Sequence, residues 1–283
     1  RQTVQKTRRK VSQPLRTSNR GHLGATRVPA VSIAEISFQT ARHIAPAWEI
    51  PTAESRLLTR HCLELLMLIP PVLTFQFALP VPRLDRLPRA SGPLLDLPDT
   101  CRLLWPGELL DSASAPVELR AAWNPQGLGF SVTVTGRQHP PAFNPQQPDQ
   151  SDGLRIWLHT RKARGVHRAN RMCHGFHLMP VGGGAKQMEP QVLPVAVPRA
   201  LEEASRAAPR AFPVKAGIRR DGWHLEAWLP AGHLTGFDPD ASRMLGFSAL
   251  LRDSELGDHP FTLGPAFPVS SDPELWQTLE LVD

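Results

Sequence analysis

From residue 73 onward the chain is patterned mostly in period two. Leu73, Phe75 and Phe77 alternate with Thr74 and Gln76, and Leu119, Ala121 and Trp123 alternate with Arg120 and Ala122. After Asn124-Pro-Gln-Gly127, a turn by its Pro/Gly chemistry, Leu128, Phe130, Val132 and Val134 alternate with Gly129, Ser131 and Thr133. Successive side chains of a strand point to opposite faces, so these runs predict half-buried strands and a hairpin. Leu154, Ile156 and Leu158 set against Arg155, Trp157 and His159 predict another strand, as does 174–179 with Phe176 and Leu178 on one face, closed by Gly182-Gly183-Gly184. Residues 192–197 read as a weak strand and 199–208 as a short helix entered through Pro198. Val214, Ala216 and Ile218, the turn Arg220-Asp221-Gly222, then Trp223, Leu225, Ala227 and Leu229 form the clearest hairpin signal in the chain. Strands at 245–251 and 278–282 complete the series. Residues 78–118 between the first two runs read as a Pro-rich connector.

Short strands at turn-punctuated spacing, most with one apolar and one polar face, predict an all-β fold: an antiparallel β-sandwich with jelly-roll-like connections over residues 67–283. Composition supports this. Thirty prolines among 283 residues exclude coiled coils and helical repeats, since an interior Pro costs a helix about 3 kcal/mol. Residues 1–50 are polar, basic and aperiodic, and read as disordered. At 52–66, Leu57, Leu58, His61, Cys62, Leu65 and Leu66 have the spacing of one amphipathic helix. The first Met is Met67, so residues 1–66 read as a poorly ordered extension outside the folded unit.

Charge sharpens that division. The chain carries 32 Lys+Arg against 26 Asp+Glu, a net +6, but 11 of the basic and only 4 of the acidic residues lie in 1–66. The remaining 21 basic and 22 acidic residues leave 67–283 at −1, so nucleic acid is an expected partner of the N-terminal stretch only. Cys62, Cys101 and Cys173 show no CxxC spacing and read as reduced, buried thiols rather than disulfide or zinc ligands. The most apolar stretch, 63–79, is interrupted by Glu64, Pro70, Pro71 and Gln76, which argues against a membrane span. No targeting segment is read, and with unpaired cysteines this favours a cytoplasmic location.

Residues 119–136 (LRAAWNPQGLGFSVTVTG), 151–161 (SDGLRIWLHTR), 174–180 (HGFHLMP), 221–234 (DGWHLEAWLPAGHL) and 245–253 (LGFSALLRD) resemble, in order, the strand pattern of family 9 carbohydrate-binding-module-like, DOMON-like β-sandwich domains. Its later hairpin has the form Gly-aromatic-x-Leu-Glu-x-x-Ile/Leu-Pro. The likeness covers about residues 70–283 and is nearest to an uncharacterised, planctomycete-type bacterial group. It implies a jelly-roll sandwich that binds sugars without catalysis, sometimes with structural calcium. The chain departs from the pattern at His159, where the group usually has Asp, and no attached catalytic domain is expected.

With no Tyr in the chain, stacking surfaces must come from Trp and Phe. Trp157 and Trp228 stand on the polar-alternating sides of their strands, beside Arg155/His159 and His224/Glu226. Sugar recognition needs such a flat apolar face next to hydrogen-bonding groups. The expected ligand-binding residues are therefore Trp157, Trp228, Arg155, His159, Arg161 and His177. The competing expectation is that loops cover this face and both Trp are core, as Trp123 and Trp223 are on their apolar faces. The basic stretch 161–174 suits an anion or, more ordinarily, ion pairs with Asp149, Asp152 and Glu189. His174 and His177 fall on opposite faces of one strand, which disfavours joint chelation. Asp253, Glu255 and Asp258 read as solvated, with calcium ligation or a glycosidase carboxylate pair as the sharper alternatives. No GxSxG, HExxH, phosphate loop or dinucleotide fingerprint is present, so no catalytic residue or enzyme activity is assigned. The expected function is a non-catalytic glycan-binding module. A haem-binding DOMON-like sandwich using Met172, Met179, His174 and His177, or an intracellular module that binds a protein partner, are the alternatives.

Overall fold

The computed structural model describes residues 76–105, 116–264 and 266–283, all within the unit Glu64–Asp283. The expected disordered stretch 1–50, the helix at 52–66 and the start of the strand at 73–77 lie outside the described residues. Twelve described strands run β1 (Ala78–Pro82), β2 (Arg102–Leu103), β3 (Val117–Asn124), β4 (Gly127–Thr135), β5 (Gly153–His159), β6 (Cys173–Gly183), β7 (Glu189–Val195), β8 (Val214–Arg219), β9 (Gly222–Pro230), β10 (Met244–Asp253), β11 (Gly257–Pro260) and β12 (Gln277–Val282). They form two sheets. The larger has the order β1-β12-β10-β5-β6-β7 with β11 also on β10, and the smaller the order β2-β3-β4-β9-β8. All strand pairs are antiparallel except β1 with β12. This is the β-sandwich that the alternation predicts.

The period-two pattern decides which faces meet. Leu119, Ala121 and Trp123 of β3, Phe130 and Val132 of β4, and Trp223 and Leu225 of β9 turn inward. Opposite them lie Leu154, Ile156 and Leu158 of β5, Phe176 of β6 and Phe247 of β10, all in one buried cluster. Phe130 and Phe247 stack between the sheets, ring centroids 5.9 Å apart. The two expected hairpins form, and their glycines are required by close approach. A Cβ at Gly127 would collide with the Leu229 carbonyl and one at Gly222 with the Val134 carbonyl, so β4 and β9 could not pair in this register with larger residues there.

Several elements differ from expectation. Strands β1 and β2 lie within the Pro-rich connector; Pro80 and Pro82 are accommodated because β1 is an edge strand whose other side needs no ladder donor. The short helix at 199–208 does not form. Arg199 has φ +59° and the Leu201 N–H donates to the Ala169 carbonyl at 2.7 Å, so this backbone is tied to another loop rather than to its own preceding turn. The carboxylates after β10 do not stand on an open loop, because the chain turns there into β11. Among the described residues no helix is long and apolar enough to cross a membrane. Cys101 and Cys173 are buried free thiols, and burial pushes the Cys173 pKa up to about 11.

Candidate functional site

The sandwich has two outer faces, and the polar half of each alternating strand ends on one of them. On the smaller sheet the outer face carries Ala122, His224, Glu226 and Trp228, and residues 84–101 lie across it. Leu87, Leu94, Leu95, Leu97 and Cys101 pack on Ala122 and Trp228. Glu226 anchors this strap by accepting the N–H groups of Leu94 at 2.6 Å, Leu95 at 3.2 Å and Asp96 at 2.8 Å. Burial alone would raise the Glu226 pKa, but the His224 ring nitrogen 3.8 Å away and these N–H groups outweigh it and hold the pKa at about 2. Trp228 is consequently 2% exposed. That corrects its expected role as an open stacking surface: the strap fills the place a sugar would take.

On the larger sheet the outer face presents Arg155, Trp157 and His159 of β5, Gly175 and His177 of β6, and Ser248, Leu250 and Arg252 of β10. Cross-strand register sets Leu250, Arg155 and His177 in one row and Ser248, Trp157 and Gly175 in the next. Residues 260–264 and 266–270 fold over part of this face and leave a hollow of about 170 Å³ lined by Arg155, Trp157, Leu250, Leu263, Phe267, Val269 and Ser270 among others. Trp157 packs on one side against Ala169, Cys173, Val197 and Trp276. At 5% exposure it is a wall of the hollow rather than an open platform.

Arg155 makes no hydrogen bond among the described residues, and its Nη2 atom is buried without a partner. Asp149 is the nearest counter-charge, 4.0 Å from Nη2 and itself largely exposed. Burial first, and the Arg252 charge second, push the Arg155 pKa down from its ordinary value, although a guanidinium remains protonated. Arg252 is already satisfied by Asp258, with contacts of 3.1 and 2.8 Å. The hollow thus combines an indole wall, aliphatic walls and one guanidinium whose hydrogen-bonding capacity is unused. Two larger hollows have no such combination. One of about 680 Å³ beside the strap contains Arg89 paired with Asp96 at 2.7 Å and Arg120 paired with Asp99 at 2.7 Å. The other, about 430 Å³ at the edge formed by β7 and β8, has no Trp.

Of the six expected ligand-binding residues, then, only Arg155 and Trp157 line the hollow. His177 is next to Arg155 in register but fully buried; burial, with Arg155 and Arg252 adding to it, lowers its pKa to about 3. It is a neutral residue inside the sheet's covering, not a ligand group. His159 is 2% exposed, lies opposite Gly246, and has its pKa lowered by burial and then by Lys162. Arg161 donates to the Gly236 carbonyl at 3.1 Å and lies 3.8 Å from Asp238, which ties its loop to the segment after β9. Elsewhere in that loop His167 meets Asp272 at 3.1 Å and the Gly165 N–H donates to Glu274, while the Lys162 and Arg168 side chains donate to the Trp276 and Arg199 carbonyls.

Of the three carboxylates around the turn from β10 to β11, Glu255 and Asp258 are exposed, as expected, and Asp253 is not. Asp253 is 3% exposed and, with Asp152, pairs with the buried Arg137 guanidinium. Asp152 accepts the Ala142 and Ser254 N–H groups at 2.7 Å each, and Asp253 those of Glu255 and Leu256. All four carboxylate oxygens are engaged. Calcium takes six to eight oxygen ligands, so these residues do not fit a calcium site, and among the described residues no group of three or more His, Cys, Asp or Glu is arranged to hold a metal. Nor do the residues suggested for haem fit it. His174 stacks on Phe176 of the inner face, His177 lies on the outer face, and the void beside His174 is about 10 Å³.

No family model matches the chain, and no curated protein matches it. Among solved structures, a carbohydrate binding module family 9 protein from Caldicellulosiruptor kristjanssonii in complex with cellotriose is 13% identical over 72% of this chain and 93% of that one, with TM-score 0.49. The same organism's module in complex with glucose is 13% identical over 73% and 96%, with TM-score 0.47. A putative carbohydrate-binding protein from Bacteroides uniformis ATCC 8492 is 12% identical over 74% and 100%, with TM-score 0.43. Likeness of this degree assigns neither family nor ligand.

Proposed function

We propose that this chain is a non-catalytic carbohydrate-binding module that takes a single sugar residue in the hollow beside Trp157. The observation that carries the reading is the union, in one hollow of about 170 Å³, of an indole wall and the Arg155 side chain, which makes no hydrogen bond among the described residues. A pyranose has apolar C–H faces and a rim of hydroxyl groups, so it is recognised by an aromatic surface flanked by a few fixed polar groups. Size supports one ring rather than a chain: a cavity of about 150 Å³ admits one six-membered ring, whereas clefts for larger ligands run to about 300–1,000 Å³.

A glycan array probed with the full-length chain, followed by titration calorimetry on the hits, tests this. Binding is expected, and replacing Leu263, a loop residue lining the hollow, by Trp should abolish it by filling the space while far-UV circular dichroism stays unchanged. Trp157→Ala should weaken it by removing the wall. If the wild-type chain binds no glycan, the reading is overturned.

A further inference from the structure

We infer that the sugar residue taken by this hollow is anionic, a hexuronic acid, with its carboxylate received by Arg155. This deepens the preceding reading and rests on it. A neutral hexose would satisfy the apolar walls and leave the most costly feature of the hollow unanswered. Arg155 is a permanent cation with side-chain exposure of 19%, no hydrogen-bond partner among the described residues, and one counter-charge at 4.0 Å that solvent screens.

A partly desolvated guanidinium with no hydrogen bond and so long an ion pair is unusual, because a buried charge ordinarily carries a close partner. Its surroundings supply only the 4.0 Å pair with Asp149 and, farther off, the charge of Asp258. His177 beside it is neutral, Leu250 on its other flank is apolar, and the neighbouring Arg252 adds like charge while committing its own guanidinium to Asp258. The fork of a guanidinium matches the two oxygens of a carboxylate, which can accept two parallel N–H bonds. A hydroxyl can accept only one such bond and brings no charge. In a hexuronic acid the carboxylate replaces the exocyclic hydroxymethyl group at the ring's rim. One ring can therefore lie against the Trp157 and Leu263 walls while Arg155, held by no hydrogen bond among the described residues, turns its guanidinium to the carboxylate.

Calorimetric titration of the full-length chain with glucuronic and galacturonic acid, glucose and galactose, and the methyl esters of the two acids tests the inference. At least one free acid is expected to bind about tenfold tighter than its neutral hexose, the gain of a charge-assisted over a neutral hydrogen bond. Its methyl ester should fall back to the hexose value. In Arg155→Gln the ratio of acid to hexose affinity should drop to about one, and Arg155→Lys, with a charge but no fork, should lie between. Equal binding of acid and hexose by the wild-type chain overturns the inference while leaving sugar binding intact, and so does an ester that binds as tightly as its acid. Absence of binding by all six sugars, together with an empty glycan array, overturns the underlying reading instead. The ester comparison needs no variant, so the inference stays testable even if Arg155→Gln does not fold.

Discussion

A buried and a half-buried arginine show how the same side chain becomes scaffold or recognition element according to what stands around it. Arg137 faces two carboxylates and two backbone carbonyls, those of His139 and Pro140, each at 3.1 Å. Its charge is fully answered within the protein, and it ties the end of β4 to the start of β5 and the end of β10. Removing one member of such a set leaves the others buried without compensation. Arg137→Met is therefore expected to lower stability by about 3–5 kcal/mol in urea denaturation. Adding Asp253→Asn should recover part of that loss; no recovery would mean that the packing of the Arg137 side chain, rather than its charge, holds these three strand ends together. Arg155, by contrast, has its charge answered at 4.0 Å only.

At the scale of elements, the strap at 84–101 decides which outer face can take a ligand, and Glu226 holds the strap. A carboxyl whose pKa is depressed on folding contributes stability that is complete above its unfolded value and is lost as pH falls through the folded value. For Glu226 the window runs from the ordinary 4.5 down to about 2. Acid should therefore loosen the strap. Hydrogen exchange at Leu94, Leu95 and Asp96 is expected to lose protection progressively as pH drops below 4.5, and Glu226→Gln should show reduced protection already at pH 7. Protection of these amides that is independent of both pH and substitution would remove Glu226 as the anchor.

The same elements show what the amino-acid pattern could and could not reveal. The hairpins at Asn124-Pro-Gln-Gly127 and Arg220-Asp221-Gly222 were legible because turn chemistry and period-two alternation agree there. Strand β1 was not, since Pro80 and Pro82 break the usual strand signal and only its edge position makes them tolerable. Arg155 and Trp157 were legible as outward-facing residues of β5, but Trp228 has the same signature in β9 and is sealed. The difference lies in residues 84–101 and in the described residues after β11, 261–264 and 266–270, aperiodic segments whose paths are set by contacts distant in sequence, such as those from Glu226 to Leu94–Asp96. The hollow's other walls, Leu263, Phe267 and Val269, come from such a segment too, so no local pattern could mark them.

Over the whole molecule, the distribution of charge separates local recognition from general attraction of polyanions. Residues 1–66 hold a net +7 and residues 67–283 a net −1, so the +6 of the chain does not describe the sandwich. A polyanion engaging the basic N-terminal stretch would displace many counterions; about six to ten phosphate contacts cost roughly 10³–10⁵ in affinity between 50 and 200 mM salt. A single carboxylate meeting Arg155 is one partly buried pair, and screening acts weakly on it. The affinity of a monomeric hexuronic acid should therefore change by no more than a few-fold over that salt range, while that of a long polyuronate should fall far more steeply if residues 1–66 also engage it. A steep salt dependence already present with the monosaccharide would place its binding outside the hollow, because one pair in a site lined by Trp157, Leu250 and Leu263 cannot release many ions.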